Sequence, residues 1–148
     1  MSLRPISFES ETAIRYEFQL ETFEKERCSC RILIAKFAGD YRPGHLGAPD
    51  GWFVRGITEA ALKVWCPDAL VLDLRELSST WGDEMEEVLG IRGEIQVPFG
   101  IVGSESCLPA IGTLVQVFYG AEKIKTATDA ENIFDNMEEA LEYVHQKV

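Results

Sequence analysis

The chain has 148 residues, enough for one ordinary domain with a core, and its 46% apolar and 26% charged content is that of a folded, soluble protein. Its 25 acidic and 14 basic side chains leave a net charge of −11, which repels phosphate backbones and anionic membranes. Nucleic acid and membrane are therefore not expected partners, and a basic protein surface or a small molecule fits better.

The opening stretch MSLRPISFESETAIRYEF has no apolar signal core and carries acids early, so no secretory peptide is predicted. No apolar run approaches the roughly 18 residues of a membrane span, and the expected compartment is the cytoplasm. Ile14, Tyr16, Phe18 and Leu20 recur at period 2 and predict a half-buried strand within 13–23. The charged residues 24–27 predict a hairpin turn into a second, antiparallel strand at 31–39. Cys28 and Cys30 precede that strand, while Cys66 and Cys107 stand alone. One close pair of cysteines is not a zinc ligand set, so reduced cytosolic thiols and no metal are expected.

Residues 40–51, DYRPGHLGAPDG, hold two prolines and three glycines and predict a loop. Asp50 is the expected cap of the helix that follows. In that helix Phe53, Ile57, Ala60, Ala61 and Val64 form one apolar face, Glu59 and Lys63 pair four apart, and Pro67 helps stop it. ALVLDLREL (69–77) is nearly continuous apolar sequence with Asp73 inside it, the pattern of a central strand covered on both faces. Met85, Val88 and Leu89 predict a short helix that stops at Gly90. EIQVPFGIVG (94–103) predicts a strand in which Pro98 marks a bulge or an edge. CLPAIGTLVQVFYG (107–120) predicts a helix with Pro109 in its first turn and Gly120 after its end. A short strand at Ile133 and Phe134 leads to a last helix. Its expected N-cap is Asp135, with Glu138 at capping-box spacing, and Met137, Ala140, Leu141, Val144 and Val148 line one face.

The order β-β-α-β-α-β-α-β-α predicts a single compact α/β domain over 1–148, with residues 1–30 as its N-terminal strand region. Its sheet is mixed, mostly parallel, of about five strands with helices packed on it.

Two of these segments resemble the STAS family, the sulfate-transporter and anti-sigma-factor-antagonist domain. ALVLDLREL resembles the family's central LVLDLSxV strand, and IFDNMEEALEYV (133–144) resembles its closing IFDSxEEAL strand and helix. The resemblance spans roughly residues 31–148 and implies a STAS-like fold. In that family a DSSG motif opens the helix after the central strand, and its second serine is phosphorylated by a partner kinase. In this chain Asp73 and Leu74 match, Arg75 replaces the following serine, and Leu77 takes the branched apolar position. Trp81, Gly82, Asp83 and Glu84 stand in place of DSSG. The acceptor position is Asp83, and a carboxylate is a poor copy of a phosphate carrying about −1.5 to −2 charge. The loop 40–51 is longer than that family needs. The resemblance thus implies a non-enzymatic cytoplasmic module of regulatory character, binding a protein or a small ligand without a cofactor. It lacks the phosphorylatable serine, and both a monomer and a homodimer through an exposed strand edge are compatible with it.

The candidate binding surface is Ser78, Ser79, Thr80, Trp81, Gly82 and Asp83. This loop follows the carboxyl end of a central strand, where α/β folds place their sites. Its hydroxyls can hold an anion or be modified, or Ser79 or Thr80 can simply cap a helix. Trp81 in a polar loop marks a contact surface or folds down on the sheet. The acids Asp83, Glu84, Glu86 and Glu87 suit a metal or a basic partner, or answer the helix dipole as a solvated face, and no histidine lies near to complete a transition-metal site.

A second resemblance, of VPFGIVGSESCLPAIG to the Clp protease and crotonase group, would make Ser104 or Ser106 a nucleophile or an oxyanion-hole neighbour of a hydrolase or acyl-CoA enzyme. A serine nucleophile needs a base within reach. The histidines are His45 and His145, neither a few tens of residues after the serine, and Cys107 lacks a base for the same reason. No phosphate loop or dinucleotide fingerprint is present.

Overall fold

The computed structural model describes residues 1–91 and 93–148. Strands β1 (Arg15–Lys25), β2 (Cys28–Asp40), β3 (Ala69–Ser78), β4 (Phe99–Val102) and β5 (Ile133–Phe134) lie side by side in chain order. The first pair is antiparallel and the remainder are parallel, as expected of a mixed, mostly parallel sheet. The β1–β2 hairpin closes at Glu26 and Arg27, whose φ angles of 51° and 68° are the positive values that a tight two-residue turn needs to follow the right-handed twist of its strands. The parallel strands are joined by α1 (Ala48–Trp65), α2 (Met85–Val88) and α3 (Leu108–Tyr119), and α4 (Met137–Lys147) follows β5.

Alternation along β3 divides the core. Leu70, Leu72 and Leu74 point to the side packed by Val54 and Ala61 of α1, Met85 and Val88 of α2, and Ile111 and Val115 of α3. Ala69 and Val71 point to the other side, where Ala140 and Val144 of α4 close a smaller cluster with Ile32 and Val102. The sheet is thus covered on both faces, which accounts for the nearly continuous apolar run of its central strand.

Four expectations need correcting. The loop after β2 ends at Gly47, and α1 begins at Ala48 with Pro49 in its first turn. Asp50 consequently lies inside the helix and caps nothing; its carboxylate is turned inward to Arg42 and Thr12. The apolar face of α1 is rotated from the expected one. Val54, Thr58 and Ala61 are buried together with Arg55, whereas Ala60 is exposed and Val64 is 72% exposed. Arg55 reaches over to the Glu87 carbonyl at 3.2 Å and ties α1 to α2, so a cation takes one of the buried positions of this helix. Strand β4 covers four residues, with 94–98 irregular before it. Pro98 adjoins its start and supplies the carbonyl that accepts the Leu70 N–H. Finally, α4 is capped by Asn136, whose side-chain oxygen accepts the Glu139 N–H at 2.9 Å, one residue beyond the Asp135–Glu138 pair.

Candidate functional site

The loop 78–83 leaves the carboxyl end of β3 and is fixed from two sides. On one side stands the segment after β2. Gly44 donates to the Trp81 carbonyl and accepts from the Asp83 N–H, at 3.0 and 2.9 Å, making an isolated parallel bridge between Gly44 and Gly82. The Tyr41 hydroxyl donates to the Asp83 carbonyl at 2.6 Å. These approaches leave no room for side chains: a Cβ on Gly82 would lie 2.5 Å from both the Arg42 carbonyl and the Tyr41 ring. Glycines 47 and 51 pack against the same tyrosine. Burial drives the Tyr41 hydroxyl well above its ordinary pKa, and nearby acids (Asp50 first, then Glu86, Glu84 and Asp83) push the same way, so it remains a donor.

That segment is in turn locked by Asp50, fully buried in the first turn of α1. Its carboxylate accepts from the Arg42 backbone and guanidinium at 2.9–3.0 Å and from the Thr12 hydroxyl at 2.6 Å. Burial alone would raise its pKa, but the hydrogen bonds from Arg42 and Thr12 outweigh it and hold the carboxyl below the usual range. Asp73 shows the same balance: burial raises, the Arg75 side-chain and backbone bonds lower, and the result is lowered.

On the other side stands the turn between β4 and α3. Ser104 Oγ donates to the Arg75 carbonyl at 2.7 Å, Ser106 Oγ to the Leu77 carbonyl at 2.9 Å, and the Cys107 thiol to the Leu74 carbonyl at 3.3 Å. The Ser79 N–H donates back to the Ser106 carbonyl at 3.0 Å. The residues expected of a hydrolase therefore serve to join β3 to the next turn. His45 is exposed near the start of α1, and His145 packs at a tilt against Phe23 where α4 meets β1, 4.3 Å between ring centroids. Among the described residues neither histidine is a hydrogen-bond partner of Ser104 or Ser106. Cys107 is fully buried, and burial pushes its thiol pKa up.

Held in this way, the six loop residues divide by exposure. Ser78, Thr80 and Trp81 face outward, with Trp81 55% exposed, and Asp83 is half-buried. Gly82 is buried beneath them, and so is Ser79, whose Oγ has no hydrogen-bond partner among the described residues. Asp83 precedes Glu84, a left-handed residue (φ 68°) at the head of the one-turn α2. Sequence reasoning named this loop but not the supports under it. Tyr41, Arg42 and Gly44 lie in a stretch whose sequence predicts only a loop, and Asp50 in it predicts only a helix cap; the recurring glycines 44, 47 and 51 are the available signal. Ser104 and Ser106 carried no signal of a structural role.

No protein-family model matches the chain, and no match is found among curated proteins. A comparison with solved structures defines the class of fold: the chain has the fold of the anti-sigma factor antagonists. One structure it is similar to is an anti-sigma factor antagonist from Mycobacterium paratuberculosis. The two share 14% identity and a TM-score of 0.51, over 87% of this chain and 95% of the other. Among the described residues, no helix is long and apolar enough to cross a membrane.

Proposed function

We propose that the chain is a non-enzymatic cytoplasmic regulatory module that binds a protein partner through the outward residues of the 78–83 loop. The observation that carries this reading is Trp81: a large aromatic, 55% exposed, on a loop whose backbone is pinned from both sides. A rigid exposed aromatic meets a partner without the entropy cost of ordering a mobile loop. The likeness to an anti-sigma factor antagonist supports a protein as the partner.

Asp83 supplies the charge at the position where that family's switch serine stands. The carboxylate is permanent, so binding in this reading does not wait on a kinase. The net charge of −11 favours a partner with a basic surface. The test is capture of the chain's binding partner by wild type, Trp81→Ala and Asp83→Lys, with thermal unfolding alongside. Both variants should lose capture by tenfold or more while Tm stays nearly unchanged, as an exposed hot-spot residue and a charge reversal imply. Capture equal to wild type removes the loop from the binding surface.

A further inference from the structure

We propose that β1 pairs edge to edge with β1 of a second copy, antiparallel, in the register that sets Phe18 opposite Phe18. Strand β1 runs 11 residues and ends the sheet, with β2 on one side and an unpaired row of N–H and C=O groups on the other. The face it shares with α1 is not closed. Phe53 touches Tyr16 and Trp65 touches Phe18, at ring distances of 5.9 and 5.5 Å, yet Tyr16 stays 50% and Leu20 41% exposed. An apolar strip beside an open strand edge is the arrangement that strand addition uses, with backbone bonds for affinity and alternate side chains for register.

The second copy is chosen by charge. On the opposite face of β1, Arg15, Glu17, Gln19 and Glu21 follow one another at period 2. Charges on an edge ordinarily deter pairing, and here they deter the registers centred on residues 17, 19, 20 and 21, while one centred on Tyr16 leaves only residues 15–17 of the strand to pair. A two-fold axis at Glu17 or Glu21 sets that acid against itself. An axis at Gln19 sets Glu17 against Glu21, and one at Leu20 sets Arg15 against Lys25. An axis at Phe18 brings Arg15 opposite Glu21 and Glu17 opposite Gln19, each twice. On the apolar face the same axis brings Tyr16 opposite Leu20, twice. Arg15 is exposed, and its side chain has no hydrogen bond or ion pair among the described residues, so its charge is available to the other copy. Glu21 has the His145 Nε2 at 3.5 Å, an ion-pair distance, and keeps a second carboxylate oxygen for Arg15.

Sedimentation of the full chain over micromolar concentrations should show a monomer–dimer equilibrium. Arg15→Glu should raise the dimer Kd about tenfold by placing like charges opposite each other twice, without lowering the monomer's Tm. Adding Glu21→Arg should restore the dimer. Register is read by cross-linking in a Cys28→Ser, Cys66→Ser background. Glu17→Cys mixed with Gln19→Cys should form a disulfide dimer on mild oxidation, and each alone should not. A chain monomeric throughout, a dimer indifferent to Arg15→Glu, an absent rescue, or cross-linking within one variant alone would each overturn the proposal.

Discussion

Among single residues, the serines around the site show how position decides what a hydroxyl is worth. Ser106 Oγ donates to the Leu77 carbonyl and so holds the β4–α3 turn to the end of β3. Ser79 Oγ, one layer below the loop surface, is buried with no partner among the described residues. A typical internal hydrogen bond contributes about 1 kcal/mol, whereas an unmade one leaves the desolvation penalty standing. Ser106→Ala should therefore lower stability by about 1 kcal/mol, and Ser79→Ala should be neutral or raise it by up to about 1 kcal/mol. Chemical denaturation of the two variants checks the opposite signs. Nothing in the sequence separates these serines, because the difference lies in what faces each oxygen after folding.

At the scale of elements, the loop 78–83 depends on backbone contact with the segment after β2 rather than on side-chain packing. The Gly44–Gly82 bridge works because Gly82 carries no Cβ to strike the Arg42 carbonyl and Gly44 adopts a positive φ of 58°. Gly82→Ala would press a methyl to 2.5 Å from the Arg42 carbonyl, so the two segments must part. We expect a loss of about 1–3 kcal/mol, as for other overpacked sites, and faster amide exchange at Asp83 and Gly44. Hydrogen exchange of the variant measures this directly. Much of the architecture was legible, since β3 and α4 carry patterns set by burial, and burial follows periodicity. The errors fell where a polar contact overrode the pattern. Arg55 is buried on α1 through its bond to the Glu87 carbonyl, and Asp50 turned inward to Arg42 instead of capping. The surface loop was found from its place after a central strand. Its two supports come from segments distant in sequence, and no local pattern records such a pairing.

Across the whole molecule, Asp50 and Asp73 make stability depend on pH in one direction. Both carboxyls are depressed in the folded state by arginine partners that outweigh burial. Their contribution is present above the ordinary carboxylate pKa of about 3.9 and is lost as pH falls through the lower folded values. Tm should be nearly flat from pH 7 to about pH 5 and fall steeply below about pH 4. Asp50→Asn should start lower and show a shallower acid limb, which thermal melts across that range would reveal.

The link between the first hairpin and the last helix also has a consequence in time. Lys25 donates to the carbonyls of His145 and Val148, at 2.9 and 2.6 Å, where β1 meets the end of α4. The hairpin can close once residue 40 has been made, but the face formed by Phe23, Ile32 and Ile34 waits for α4, which ends at Lys147. At about 5–20 residues per second, a ribosome takes roughly 5–20 s to cover that interval. Throughout it a nascent chain offers both a bare apolar face and an open strand edge, so the crowding of neighbouring ribosomes on one message would bear most heavily on this hairpin.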